Sequence, residues 1–167
     1  MKFDHFKYLA DGMFLPDENG KVQKRYSGID VRAINPLVLA YIGDAYFHLF
    51  VRSKLLDYEQ NKVQVLNRFS AQIVSAVWQA KAYHKIETML TEEEKMVFKR
   101  ARNAKSHAPR AASVAEYHMS TGFEALLGTL YLKKNYDRLH ELVEASFEVI
   151  SEAMMTRVHK KSKENIQ

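Results

Sequence analysis

The sequence predicts an all-α protein, and three observations lead to this expectation. Only 6 Gly and 3 Pro occur in 167 residues, too few for the many tight turns of an all-β protein. From residue 35 onward, apolar residues recur at three- and four-residue spacing, which is the helical period. Two Ser/Thr-x-x-Glu capping boxes mark helix starts in the same region. We therefore expect a bundle of about six helices behind a short irregular N-terminal arm.

The composition indicates a globular protein of one domain. Hydrophobic residues make up 47% of the chain and charged residues 27%, which excludes wholesale disorder and fibrous classes. The absence of cysteine excludes disulfides, cysteine-ligated zinc and a cysteine nucleophile. We find no targeting signal and no apolar run long enough to span a bilayer, so we expect a cytoplasmic protein. The net charge of +5 suggests a polyanionic partner.

The N-terminal arm, residues 1–34, carries most of the turn signals. Asn19-Gly20 lies between two apolar segments and predicts a β-hairpin over Phe14–Val22. The arm is too short to hold a core, so we expect it to pack on the main domain.

The first helices of the main domain, residues 35–157, follow from local signals. Asn35-Pro36 is an N-cap with proline at the first helical position, and it predicts a helix to about residue 55. A second apolar pattern covers residues 63–77, and its spacing allows a continuation past Trp78 into a third helix that ends near residue 90.

Capping boxes open the next two helices. Thr91 with Glu94 opens one, and Ser113 with Glu116 opens another that extends to residue 132. Asn135 or Asp137 caps the last helix, which we expect to reach about residue 154. Residues 158–167 are expected to form a basic, solvated tail. Its cluster consists of Arg157, Lys160, Lys161 and Lys163.

Two carboxylates break the amphipathic pattern. Asp44 is the only charge in the run Leu39–Phe47, and helical spacing places it on the apolar face. Glu124 stands in an apolar and small-residue row of the Ser113 helix, and each acid has a glycine nearby. Inward carboxylates from two facing helices are one way to build a Mg²⁺ site. Pairing with a buried arginine, or exposure at a helix edge, is the alternative interpretation.

A basic segment, residues 99–110, lies between the two acids. It holds five Lys/Arg, one His and no acid. Cations at a helix C-terminus complement the helix dipole, but charge that continues into the loop beyond Pro109 is better explained by phosphate contacts.

The two acidic runs resemble the motifs of the ribonuclease III endonuclease domain. Ala40–Ala45 is similar to the family signature, whose core is Leu-Gly-Asp-Ala, and Glu124–Gly128 is similar to the second motif, Glu-Ala-Leu-x-Gly. Lys105-Ser106 precedes the second motif, as a Lys-Ser pair does in many members. Over residues 35–155 the chain resembles the short bacterial members, the Mini-ribonuclease III group.

The resemblance implies a Mg²⁺-dependent endoribonuclease that cleaves double-stranded RNA as a homodimer and leaves 5′ phosphates. The short form is associated with maturation of 23S ribosomal RNA precursor, with a ribosomal protein as a candidate helper. Carried over, Asp44 and Glu124 are the catalytic residues and metal ligands. The RNA-binding residues are then Arg100, Arg102, Lys105, Ser106, His107 and Arg110.

The sequence departs from the larger members of this family at three places. Ala40 replaces an acid four residues before the catalytic Asp, and Thr121 replaces an Asp three residues before the Glu. Because fewer than fifteen residues follow the last predicted helix, we expect no separate double-stranded-RNA-binding domain. Ala40 and Thr121 make an alternative prediction plausible, a non-catalytic helical RNA-binding or ribosome-assembly protein that kept the fold.

Overall fold

The structure, a computed structural model, describes residues 3–22, 30–105 and 113–164, with side chains described as far as residue 156. The chain forms two compact units, Met1–Ala33 and Ile34–Gln167. In the described part it contains α-helices and short 3-10 turns but no strand, which confirms the all-α prediction. None of these helices is long and apolar enough to cross a membrane. The helices are α1 (Phe3–Phe14), α2 (Pro36–Leu55), α3 (Val63–Ile73), α4 (Ala76–Ile86), α5 (Glu92–Arg102), α6 (Val114–Leu132) and α7 (Tyr136–Glu164).

The N-terminal unit is more regular than expected. The β-hairpin predicted over Phe14–Val22 is wrong, because Phe14 ends α1 and no strand follows among the described residues of this unit. The turn at Asn19-Gly20 does form: the Gly20 amide donates to the Asp17 carbonyl oxygen at 2.9 Å, and Gly20 has a φ of 72°. Helical spacing of the apolar side chains explains α1. They are Phe3, Phe6, Leu9 and Met13.

The predicted starts of α2, α5 and α6 are confirmed. Asn35 Oδ1 accepts a hydrogen bond from the Leu37 amide at 2.9 Å, with Pro36 at the first helical position. Both capping boxes are formed, with the Thr91 and Ser113 hydroxyl oxygens accepting from the amides three residues later. These starts depend only on residues within one turn, so the sequence predicts them well.

A break separates α3 from α4 at Ser75, earlier in the chain than predicted, since the sequence spacing allowed the pattern of residues 63–77 to continue past Trp78 into a third helix. Ser75 adopts an extended conformation, with φ −68° and ψ 150°, and serves as the N-cap of α4. The carbonyl oxygen of Val74, freed by the break, accepts a hydrogen bond from Gln79 Nε2 at 2.9 Å. The two helices therefore meet at a corner that one buried side chain stabilises.

The last helix is longer than expected. The sequence predicted an end near residue 154 and a solvated tail over residues 158–167, but α7 continues to Glu164. Lys, Arg and Glu are good helix formers, so the helix extends without needing an apolar face in its last turns.

The core of the second unit lies around α2 and α6, which pack closely against each other. Phe47 of α2 meets Phe123 of α6 edge to face, with ring centroids 5.4 Å apart. Both side chains are fully buried. Burial of aromatic pairs in this geometry stabilises the crossing of the two helices.

Candidate active site

Two glycines let the backbones of α2 and α6 touch. A Cβ atom added to Gly43 would lie 1.8 Å from the Glu124 carbonyl oxygen, and one added to Gly128 would lie 2.0 Å from the Leu39 carbonyl oxygen. No residue with a side chain fits at either position without moving a helix. Gly43 precedes Asp44 and contacts the Glu124 main chain, and the two acids are close enough for the charge of Asp44 to raise the pKa of Glu124.

Asp44 is half exposed rather than buried on the apolar face. Its side chain is 46% accessible, and its Oδ1 lies 3.4 Å from Nε2 of His48, one helical turn later. The sequence analysis placed His48 only in the helical row and assigned it no role. The i,i+4 spacing of Asp and His was the available signal.

Glu124 occupies a far less solvated position. Burial, together with the negative charge of Asp44, raises the pKa of Glu124 to about 8, and only the nearby Gln79 amide acts to lower that pKa. A cation beside the pair would favour the ionised form. In the described part of the chain, no Lys or Arg forms an ion pair with Asp44 or Glu124. The alternative of pairing with a buried arginine is therefore not observed there.

Two buried residues occupy the positions at which the larger family members are expected to carry further acids. Ala40 is buried, and Thr121 is buried with its hydroxyl donating to the Tyr117 carbonyl oxygen at 2.9 Å. Within residues 3–22, 30–105 and 113–164, no group of three or more His, Asp or Glu side chains is arranged to hold a metal ion. The site thus offers two carboxylates.

The described part of the basic segment lies at the C-terminal end of α5. Arg100 Nη2 donates to the Ile34 carbonyl oxygen at 3.1 Å, and Arg102 Nε donates to Asn103 Oδ1 at 3.2 Å. Lys105 is exposed. The predicted RNA-binding residues Ser106, His107 and Arg110 lie outside the described residues.

Comparisons with known proteins bear on the family to which the chain belongs. The model of the ribonuclease III domain family matches residues 37–135, which include both acidic motifs. Mini-ribonuclease 3 of Thermoanaerobacter sp. (strain X514) is 42% identical over 123 residues, which cover 73% of this chain and 87% of that protein. Mini-ribonuclease 3 of Symbiobacterium thermophilum is 47% identical over 116 residues, covering 69% and 89%.

A solved structure shares the fold. The X-ray structure of a Fusobacterium nucleatum protein superposes with a TM-score of 0.65 at 34% identity, covering 70% of this chain and 96% of that one. The chain therefore belongs to the ribonuclease III family. Within the family its relatives include several Mini-ribonuclease 3 proteins, which confirms the resemblance seen in the two acidic motifs.

Proposed function

We propose that this chain is a Mg²⁺-dependent endoribonuclease that cleaves double-stranded RNA. The observation that carries the proposal is the juxtaposition of Asp44 and Glu124 where α2 and α6 touch. Burial and the negative charge of Asp44 disfavour the ionised form of Glu124, whose pKa is raised to about 8. A divalent cation beside the pair favours that ionised form, and carboxylate oxygens are the ligands that Mg²⁺ prefers.

The donor set fits Mg²⁺. This ion commonly takes one or two carboxylates and keeps several waters and phosphate oxygens as its other ligands. Asp44 and Glu124 would hold it, and His48 would steady Asp44 through the contact at 3.4 Å. Mg²⁺ bound there would activate a water and stabilise the leaving 3′ oxygen, so that the product carries a 5′ phosphate.

The basic segment is proposed to hold the RNA backbone. Arg102 ends α5 and Lys105 follows three residues later, and the sequence continues with the basic residue Arg110. Phosphate contacts of this kind depend on duplex shape rather than on sequence. They suit A-form RNA, whose deep and narrow major groove prevents side chains from reading the bases.

A homodimer is proposed from the exposed face of α2. Val38, Tyr41 and Leu49 are 51%, 75% and 64% exposed, and with the exposed Ala45 they form one apolar stripe at three- and four-residue spacing. Contiguous exposed apolar residues of this kind mark interaction surfaces. A second copy on this stripe would pair two sites, one for each strand of a duplex.

The physiological substrate that we propose is the 23S ribosomal RNA precursor in the cytoplasm, with a ribosomal protein as a helper. This part of the proposal depends on the resemblance to the Mini-ribonuclease III group alone. Comparison of precursor cleavage with and without individual ribosomal proteins tests it.

The catalytic proposal is tested with labelled duplex RNA. We expect the wild-type protein to cut it with Mg²⁺ and to stop when EDTA is added. Asp44→Asn and Glu124→Gln should fold, dimerise and bind the duplex without cutting it. Glu148→Gln, an exposed acid on α7, is the matched control and should cut normally. Cleavage by Asp44→Asn near the wild-type rate would contradict the site assignment.

The same assay decides the second candidate function. Ala40 and Thr121 leave the site with two fewer acids than the larger enzymes are expected to have, which favours a protein that binds RNA without cutting it. Duplex binding by the wild-type protein, with no cutting at any Mg²⁺ concentration, would establish that alternative.

A further inference from the structure

Helix α1 presents an apolar face that is left uncovered in the described part of its own unit. Phe6, Leu9 and Met13 recur at three- and four-residue spacing, with Phe3 and Phe14 on the same face, and all five are exposed. None of the 12 residues of α1 is buried. Isolated helices shorter than about 12–15 residues are marginal in water, so α1 requires an apolar surface to pack on.

The second unit contains an open groove of matching chemistry, which we call the α3–α7 groove. It has a volume of about 570 Å³ and lies where the C-terminal end of α2 meets α3 and α7. Among the described residues that line it, only Glu59 and Ser151 are neither apolar nor aromatic. An apolar groove of this form is suited to the apolar face of an amphipathic helix. Its exposed large side chains are Tyr58, Val65, Phe69 and Met155.

The position of this groove along α2 indicates which copy of α1 reaches it. The N-terminal arm joins α2 at its start, Pro36, whereas the groove lies at its end, Leu55. At a rise of about 1.5 Å per residue, the 20 residues of α2 separate these two ends by about 30 Å within one copy. Two copies that share the α2 stripe in antiparallel orientation, with their helix dipoles opposed, would place the start of each α2 beside the end of the other. The arm of one copy would then begin next to the groove of the second copy.

We propose that the two copies of the homodimer exchange their α1 helices, each packing its apolar face into the α3–α7 groove of the other copy. The inference rests on the homodimer of the proposed function, but it depends neither on the metal site nor on cleavage. Two-fold symmetry makes the contact reciprocal, so it forms twice in each dimer. Buried aromatic side chains contribute about 150–250 Å² each. The three phenylalanines of each α1 therefore add substantially to the α2 contact, towards the about 1,200–2,000 Å² of stable interfaces.

Cross-linking between two single-cysteine chains tests the exchange on the full-length protein. The chain has no cysteine, so Ala10→Cys on the apolar face of α1 and Ser151→Cys in the groove each introduce one thiol. The two variants are mixed until their copies have exchanged, and are then treated with a short bismaleimide. A link between positions 10 and 151 can only join two different copies. Met96→Cys in place of Ser151→Cys is the matched control, because Met96 is exposed on α5, which does not line the groove.

We expect the mixture to yield at least about tenfold more linked product than the Met96→Cys control, since thiols held in one contact react at a raised effective concentration. Phe69→Asp, added to the Ser151→Cys chain, should return the yield to the control level because it places a charge in the groove. A control-level yield from a protein that sediments as a dimer would contradict the exchange and leave the homodimer intact. A double-cysteine chain that links only within one copy would contradict it equally. A wild-type protein that sediments as a monomer would contradict the homodimer itself.

Discussion

Gly43→Ala tests whether the contact between α2 and α6 builds the site. The added Cβ would lie 1.8 Å from the Glu124 carbonyl oxygen, where real Cβ contacts essentially never fall below 3.0 Å. The helices must therefore separate by more than about 1 Å at this point, since main-chain atoms cannot rotate away. That displacement acts directly on the distance between Asp44 and Glu124.

The magnitude follows from two opposing effects. Overpacking costs about 1–3 kcal/mol, and the cost lies at the upper end of this range where only main-chain atoms can move. Replacement of a mid-helix glycine by alanine returns about 1 kcal/mol of helix propensity. We expect a net loss of about 2 kcal/mol in the free energy of unfolding, or about 5–10 °C in Tm. A displacement of about 1 Å at reacting groups lowers the rate about 100-fold.

The assay is single-turnover cleavage of duplex RNA, at a temperature where both proteins are folded. Gly122→Ala on α6 is the matched control, because its Cβ would meet the Phe98 ring at 2.6 Å rather than the backbone of α2. It should lose stability and keep most of its cleavage. Equal cleavage by the two variants would refute the reasoning that the Gly43 contact sets the distance between the acids.

Three further predictions concern other parts of the second unit. Arg138 donates to Glu94 from Nε and Nη2 at 2.9 and 3.0 Å, and these bonds hold the pKa of Glu94 below its ordinary value of 4.5. Glu94→Gln should therefore cost about 1–3 kcal/mol at pH 7. The folded-state pKa is the lower one, so the difference from wild type should shrink as the pH falls below about 4.5, and an equal difference in urea unfolding at pH 7 and pH 4 would contradict this. Arg102→Ala with Lys105→Ala should reduce the slope of log K against log salt for RNA binding by about 1 for each phosphate that the variant no longer neutralises. An unchanged slope would place the RNA elsewhere. Tyr41→Glu should shift the protein to monomer in sedimentation velocity with its helical content intact, and a persisting dimer would exclude the α2 stripe.

The sequence predicted the features that depend on neighbouring residues or on a break in pattern. The starts of α2, α5 and α6 depend on neighbouring residues alone, so their capping hydrogen bonds could be predicted from segments of about four residues. Asp44 and Glu124 stood out because a charge in an apolar row is costly. The sequence also indicated that the two acids lie near each other, because each motif contains a glycine that permits close helix packing. The contact itself is visible only in the structure.

The remaining features depend on tertiary packing and could not be predicted. Gln79 looks like an ordinary polar residue in a helix, and only the corner at Val74 shows what its amide does. Glu124 is far less solvated than Asp44, a difference that their similar motifs conceal. The length of α7 was missed because helices built from charged residues carry no apolar signal at their ends.

With the site as proposed, the crossing of α2 and α6 also sets when the protein can become active. The two carboxylates are eighty positions apart in the chain, and nothing local holds either one near the other. Only a chain that has been synthesised beyond residue 128 can close the double glycine contact. A growing polypeptide beside the ribosome, surrounded by structured RNA, would therefore carry half of a site and do no cutting. On the proposed site, full activity requires the finished tertiary structure, so we expect RNA cleavage to report directly on folding.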